Sequence, residues 1–237
     1  MNNSIKVDSN ILSYIQNVVQ TADLIKIDSI IIEPNKVRAV DEDKTVVILQ
    51  DKNVPDMPFG SIGLNRTEIF TSRLELAKSA GNFEVEALID EMENKNTKQK
   101  EHFARALIFK GKGVKVDYRC ANPLLIKAPK TLNDYLKFKV SMTPETVLMI
   151  QKGYSAMKTD ELTLNYSKDG VILEMNDING DSFTYKISNE IETLEGNSSD
   201  FSYKYPIKTL LPLFKTVPES DFYISSRGML KIEINKL

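Results

Sequence analysis

Short runs of alternating apolar and polar residues, each closed by a Gly, Asn or Pro turn, recur along the whole chain. A period of two marks half-buried strands, and this density of them commits the chain to a sheet-based fold. Residues 24–33 read as strand-rich; the Pro34-Asn35 turn leads to a run at 36–40, and 45–50 continues it. The later half does the same, with runs at 161–166 and 171–176 around Lys168-Asp169-Gly170. Asn179-Gly180 then offers a positive-φ turn into 182–188, and 223–226 pairs with 229–234 around Arg227-Gly228.

Four stretches break the alternation with helical spacing. Residues 9–22 carry Ile11, Leu12, Ile15, Val18 and Val19, with Ser9 or Asn10 as the cap. Residues 65–78 carry Ile69, Phe70, Leu74 and Ala77. Residues 143–158 open on Thr143-Pro144, a cap followed by Pro at the first helical position, and continue through Val147, Met149, Ile150 and Tyr154. Residues 206–217 carry Ile207, Leu210, Leu211 and Phe214; Pro212 within them predicts a kink or a shortened helix. The order is therefore helix, strands, helix, strands, given twice.

Small matches accompany the repeated order. Ile15-Gln16 and Ile150-Gln151 lie 135 residues apart, and the Arg66/Arg73 and Lys208/Lys215 pairs are related by a shift of 142. The expectation is an α+β fold of two similar β-rich domains, each with two helices on one face of its sheets. The domains are placed at 1–118 and 135–237. Between them, residues 119–134 hold two prolines and an apolar centre of Leu124, Leu125 and Ile126, which suits an extended connector crossing a surface. Residues 90–101 have no apolar side chain after Met92 and read as a solvated hairpin tip.

With 237 residues the chain can bury a sizeable core unaided. One cysteine, Cys120, excludes a disulfide framework, and one histidine, His102, excludes multi-His metal sites. No apolar run approaches the ~18 residues that span a bilayer, and the first ten residues lack a signal-peptide profile. A soluble intracellular protein is expected.

Catalytic patterns are missing. Gly111-Lys112-Gly113 lacks the phosphate-loop frame and reads as a hairpin turn. Asp177, Asn179 and Asp181 begin like a calcium loop, but Gly180 is misplaced and no Glu closes it. Gly60-Ser61-Ile62-Gly63 is no nucleophile elbow, and Cys120 has no His beside it in sequence. No enzyme, cofactor or metal site is expected.

Charge is distributed unevenly. The four helical stretches hold seven basic and three acidic residues, a net +4, which leaves -6 for the rest of a chain whose total is -2. Basic helices on an acidic body can follow a phosphate backbone, although lysines also stand on solvated helix faces for no reason but solubility.

Three segments carry a family resemblance. Residues 76–82 (L-A-K-S-A-G-N), 37–46 (V-R-A-V-D-E-D-K-T-V) and 228–236 (G-M-L-K-I-E-I-N-K), in that arrangement over the full length, resemble the trimeric DNA sliding clamps of proliferating cell nuclear antigen and the T-even phages. The resemblance implies a homotrimeric ring that encircles duplex DNA, tethers a replicative DNA polymerase for processive synthesis, and is placed by an ATP-dependent loader. It implies inner helices whose Lys152, Lys208, Lys215 and Lys78 face DNA, with Lys158 beside them. Arg66 and Arg73 lie in the right helix but among its apolar positions, so packing or an acidic partner competes with DNA for them.

The first helix departs from the pattern by offering Gln16, Asn17 and Gln20. The implied partner groove holds Val40, Leu124, Ile126, Leu230 and Ile234, with Asp41 and Asn235 at the rim; strand packing is the rival reading for Leu230 and Ile234. Subunit joints are expected at edge strands near 114–118 and 182–188. The alternatives are a non-encircling polymerase accessory protein and a β-rich assembly protein without a DNA role. Action in the cytoplasm or nucleoid is implied, and abundant Lys, Asn and Ile suit an AT-rich genome such as a phage's.

Overall fold

The computed structural model describes residues 4–42, 46–93, 98, 100–129, 136–167, 170–187, 191–193 and 200–232 of the chain. They form two units, residues 1–131 and residues 132–236.

The first unit runs β1 (Ser4–Lys6), α1 (Ser9–Leu24), β2 (Ser29–Glu33), β3 (Lys36–Val40), β4 (Val47–Gln50), β5 (Ser61–Asn65), α2 (Thr67–Ser79), β6 (Phe83–Glu93), β7 (Lys100–Gly111) and β8 (Val114–Arg119). The strands make one eight-stranded sheet in the order β1-β6-β7-β5-β2-β3-β4, with β8 also on β7. β7 changes partner along its length. Ser61 and Ile62 of β5 pair in parallel with Phe103 and Ala104, whereas β8 pairs from Ala106 to Gly111. Between the two stretches the β6–β7 register slips at Leu88/Ile89, leaving Arg105 as a bulged residue.

The second unit runs β9 (Leu136–Ser141), α3 (Pro144–Met157), β10 (Glu161–Ser167), β11 (Gly170–Asn176), β12 (Ser182–Ile187), β13 (Ile191–Thr193), β14 (Phe201–Pro206), α4 (Ile207–Thr216), β15 (Asp221–Ser225) and β16 (Leu230–Ile232). Its sheets are β12-β11-β10-β14 and β13-β9-β15-β16.

The pairing scheme of the first unit recurs in the second. β1–β6, β2–β3, β3–β4, β2–β5 and β6–β7 are matched by β9–β15, β10–β11, β11–β12, β10–β14 and β15–β16, all antiparallel. The parallel β5–β7 contact, which makes one sheet of the first unit, has no counterpart among the described residues of the second. Asp8 caps α1 and Thr143 caps α3, so the 135-residue shift puts Ile15 and Ile150 at equal distances from their caps. Both are fully buried. The shift of 142 does not survive: Arg66 is the cap of α2, while Lys208 is the second residue of α4.

Several boundaries differ from the sequence expectation for physical reasons. The α1 cap is Asp8, whose carboxylate accepts the Asn10 N–H at 2.7 Å, in place of Ser9 or Asn10. α1 continues to Leu24, past the expected end at 22, and so includes Asp23. At the two ends of the segment 90–101 the strands run further than expected: β6 reaches Glu93 and β7 begins at Lys100, with Met92 buried. α4 runs four residues past Pro212, whose missing N–H leaves the Lys208 carbonyl without its helical partner. The Asn179-Gly180 turn is a five-residue loop in which Gly180 alone has positive φ (+92°). There the Asp177 carboxylate accepts the N–H groups of Asn179 and Asp181, both at 2.8 Å.

Helix packing fixes what each unit shows to solvent. α1 buries Tyr14, Ile15, Val18, Val19 and Ala22, and α2 buries Thr67, Phe70, Leu74 and Ala77. α3 buries Thr146, Val147, Ile150 and Gly153, the last tight against Phe183, and α4 buries Ile207, Leu210, Leu211, Leu213 and Phe214. Because Ile15 and Ile150 hold equivalent places in separate cores, Ile15→Ala and Ile150→Ala should each cost about 2–5 kcal/mol. Urea unfolding followed by tryptic fragment analysis should show each substitution exposing its own unit first.

Candidate functional site

The solvent faces of the four helices differ sharply in chemistry. Opposite its buried stripe, α1 presents Ser9, Ser13, Gln16 and Gln20. α2 presents Glu68, Ser72, Glu75 and Ser79. α3 presents Lys152, and α4 carries Lys208 and Lys215 seven residues apart on one line. Lys158 ends α3 in the left-handed conformation (φ +50°), its N–H bonded to the Tyr154 carbonyl at 2.9 Å.

Partners sort the seven cations further. The side chains of Lys152, Lys158 and Lys215 are exposed and have no hydrogen-bond or ion-pair partner among the described residues. Lys208 Nζ lies 2.6 Å from Asp160 Oδ1, and that hydrogen bond raises the lysine above its ordinary pKa. Lys78 is half-buried between α1 and α2; its Nζ donates to Glu75 Oε1 at 2.8 Å and to Gln16 Oε1 at 3.1 Å.

Arg66 and Arg73 take another direction. Arg66 caps α2 with a left-handed backbone (φ +60°), and its Nη2 donates to the Arg119 carbonyl at 3.3 Å. Arg73 Nη1 donates to the Asp117 carbonyl at 2.6 Å. The Cys120 N–H bonds to the Arg105 carbonyl of β7, so by strand alternation the carbonyls of 117 and 119 point away from β7. Both guanidinium carbons also sit about one ring-width above Tyr118, at 6.0 and 5.9 Å from its centroid. Tyr118 is fully buried, donates its hydroxyl to the Asn65 carbonyl, and packs edge-on to Phe70. The two arginines thus clasp the β8 edge. Their places among apolar positions and an edge strand near 114–118 were legible in the sequence; the grip of the one on the other was not.

The candidate partner residues come from both units. Val40, Leu124 and Ile126 belong to the first unit and Leu230 to the second, while Ile234 and Asn235 lie outside the described residues. Val40 is partly buried on β3. Asp41 closes the β3–β4 hairpin, exchanging backbone and carboxylate hydrogen bonds with Val46 at 3.1 and 2.8 Å. Leu230 packs against the core of its own unit.

The described part of the connector is bonded to the first unit at Ala121. Ala121 N–H bonds the Gly63 carbonyl at 2.8 Å, and Asn122 caps a short 3-10 turn, Pro123–Leu125. A Cβ on Gly63 would come within 2.5 Å of the Ala121 carbonyl and 2.9 Å of Ile126 Cδ1. Ile126 is therefore an anchor. Leu124 is 49% exposed and Leu125 81%. Leu125, passed over in the sequence reading, is the more open of the two; an apolar triplet flanked by prolines was its only signal.

Burial pushes the Cys120 thiol up to about 12, which keeps it protonated at neutral pH. Among the described residues no three His, Cys, Asp or Glu side chains gather as a metal site, and no helix is long and apolar enough to cross a membrane.

No protein-family model and no curated protein matches this chain. Solved structures do. The PCNA2–PCNA3 complex of Sulfolobus tokodaii shares 17% identity at a TM-score of 0.58, over 97% of this chain and 92% of that one. Proliferating cell nuclear antigen of Entamoeba histolytica shares 14% at 0.60, over 98% and 93%. A. fulgidus PCNA, bound to the C-terminal region of FEN-1, shares 17% at 0.57, over 94% and 86%. The chain has the mixed α+β fold of a DNA clamp. More narrowly, it is the two-unit PCNA type of that fold, across essentially its whole length.

The different partners predict different consequences of substitution. Arg73→Ala forfeits a charge-assisted hydrogen bond and a cation–π contact and should cost about 1–2 kcal/mol. Lys152→Ala should leave the urea midpoint unmoved. Equilibrium unfolding of the two variants side by side checks this.

Proposed function

We propose that this protein is a sliding clamp: three copies close into a ring around duplex DNA and tether a DNA polymerase for processive synthesis, catalysing nothing themselves. The observation that carries the reading is the coincidence of a full-length PCNA-type fold with lysines on the solvent faces of α3 and α4. On this reading Lys152, Lys158, Lys208 and Lys215 are the duplex-facing cations, and Lys78 adds a weaker one. Lysine–phosphate contacts carry no sequence information and are salt-labile. Both properties suit a protein that must move.

Closure is supported by two unlike edges. β8 is one of the first unit's edge strands and β12 an edge of the sheet β12-β11-β10-β14 in the second, each six residues long. α2, which packs on β8, shows Leu76 at 53% exposure, and α3, which packs on β12, shows Leu148 at 48%. An apolar side chain beside an unpaired edge is what a strand-pairing contact requires. Two different edges make that contact head-to-tail, the kind that closes rings. Arg66 and Arg73 would then lie at the joint and not in the hole.

The exposed Leu124 and Leu125, with Val40 of the same unit, are the proposed docking residues for apolar anchors of partner peptides. The FEN-1 segment on the A. fulgidus protein supports peptide docking as the mode. An ATP-driven loader is the remaining expected partner, and the site of action is wherever the DNA lies, cytoplasm or nucleoid.

Two measurements test this. Light scattering should give about three times the chain mass of 26.8 kDa. Protein loaded on nicked circular DNA should persist in high salt and fall off when the circle is linearised, whereas equal loss from both forms would refute encirclement. Leu124→Ser with Leu125→Ser should reduce polymerase stimulation several-fold while the oligomer mass stays constant.

A further inference from the structure

The lysines of the proposed DNA face are not equivalent, and the difference lies in carboxylates placed beside them. Lys208 meets Asp160 at 2.6 Å, with the side chains 63% and 75% exposed. Asp160 precedes β10, and its backbone carbonyl accepts the Ile207 N–H at 3.0 Å, which fixes it at the start of α4. Lys208 is one residue further on, so the backbone bond delivers the carboxylate to the ammonium. Lys215, on the same line of α4, and Lys152 on α3 have no such partner among the described residues. The first unit has a parallel case in Glu75, 2.8 Å from Lys78.

We infer that Asp160 is an attenuator of DNA contact: it competes with phosphate for Lys208 and so lowers the drag on a sliding ring. The inference rests on the clamp reading given above. An exposed pair of this kind is worth little to the fold, so its consequence lies in ion exchange. A lysine that leaves solvent ions for a phosphate releases a counterion from the DNA. When Lys208 leaves Asp160 for a phosphate, the freed carboxylate takes up a cation again. The net ion release from that contact is therefore close to zero. Lys208 steadies the duplex without adding to the salt-dependent grip.

A structural role predicts something else. Asp160 near the N-terminus of α4 also favours the helix dipole, but that benefit does not pass through Lys208. A double-mutant cycle separates the two. Anisotropy of a short fluorescent duplex is measured over a salt series with the full chain and with D160N, K208Q and D160N/K208Q, each checked for oligomer mass.

The expected result is that D160N binds about threefold to tenfold more tightly at low salt, with a slope of log affinity against log salt steeper by about 0.9 for each Lys208 engaged. In the K208Q background the D160N change should vanish. An unchanged slope in D160N, or the same gain with Lys208 removed, overturns the attenuator role. The variant K152Q/K215Q tells that failure from failure of the clamp reading: if it binds the duplex as the unaltered protein does, α3 and α4 do not face DNA and both ideas fall.

Discussion

Burial of one stripe of each helix against its sheet is the constraint from which the rest follows. α1 and α3 keep Ile15 and Ile150 at 0% and 1% exposure, and α2 and α4 lay Phe70, Leu74, Leu210 and Phe214 on the strands beneath them. Once those stripes are fixed, the 3.6-residue period decides which side chains look outward. No separate device positions the lysines of α3 and α4; they occupy what the core leaves over. The same logic leaves α2 with Glu68 and Glu75 on its outer face, so the two helix pairs expose opposite charge although their pairing schemes coincide.

That divergence explains what could be read in advance. Helix positions came from apolar spacing and were set within a few residues, because Ile, Leu and Val at i, i+3 and i+4 leave little freedom. The repeat was legible in element order and in Ile15 and Ile150, whose burial constrains both copies alike. Surface residues carry no such constraint, and the 142-residue match of Arg66 and Arg73 to Lys208 and Lys215 proved to be coincidence. Polar content misplaced the strand ends of β6 and β7, since an exposed strand over Glu91 and Glu93 looks like a loop when only every other residue is buried. Long-range partners were invisible. Arg73 reaches Asp117 across 44 positions, and Lys208 reaches Asp160 across 48, and no local pattern encodes either.

β8 shows how the first unit treats an unpaired edge. Outward carbonyls invite any passing strand, and here two of them are occupied by guanidiniums from α2 that also cover Tyr118. Each carbonyl oxygen has a second lone pair, so a partner strand can still bond there while the arginines stay. An edge protected in this manner resists nonspecific pairing yet accepts a strand of the right register. Arg66 makes its contact from a left-handed backbone.

A ring held by topology has no need of tight phosphate contacts, and tight ones would slow it. Affinity and mobility pull in opposite directions: each fully engaged lysine adds to the barrier for moving one step along the duplex. The helices of this chain, on the clamp reading, sit toward the mobile end, with serines and glutamines on α1, a carboxylate on Lys78, another on Lys208, and, among the described residues, unpartnered helix lysines only on α3 and α4. On the clamp reading the duplex is then drawn toward three cationic sectors and released by three neutral or acidic ones. A lining of that kind centres the helix poorly at any instant but offers no deep well at any position, and shallow wells are what free sliding demands.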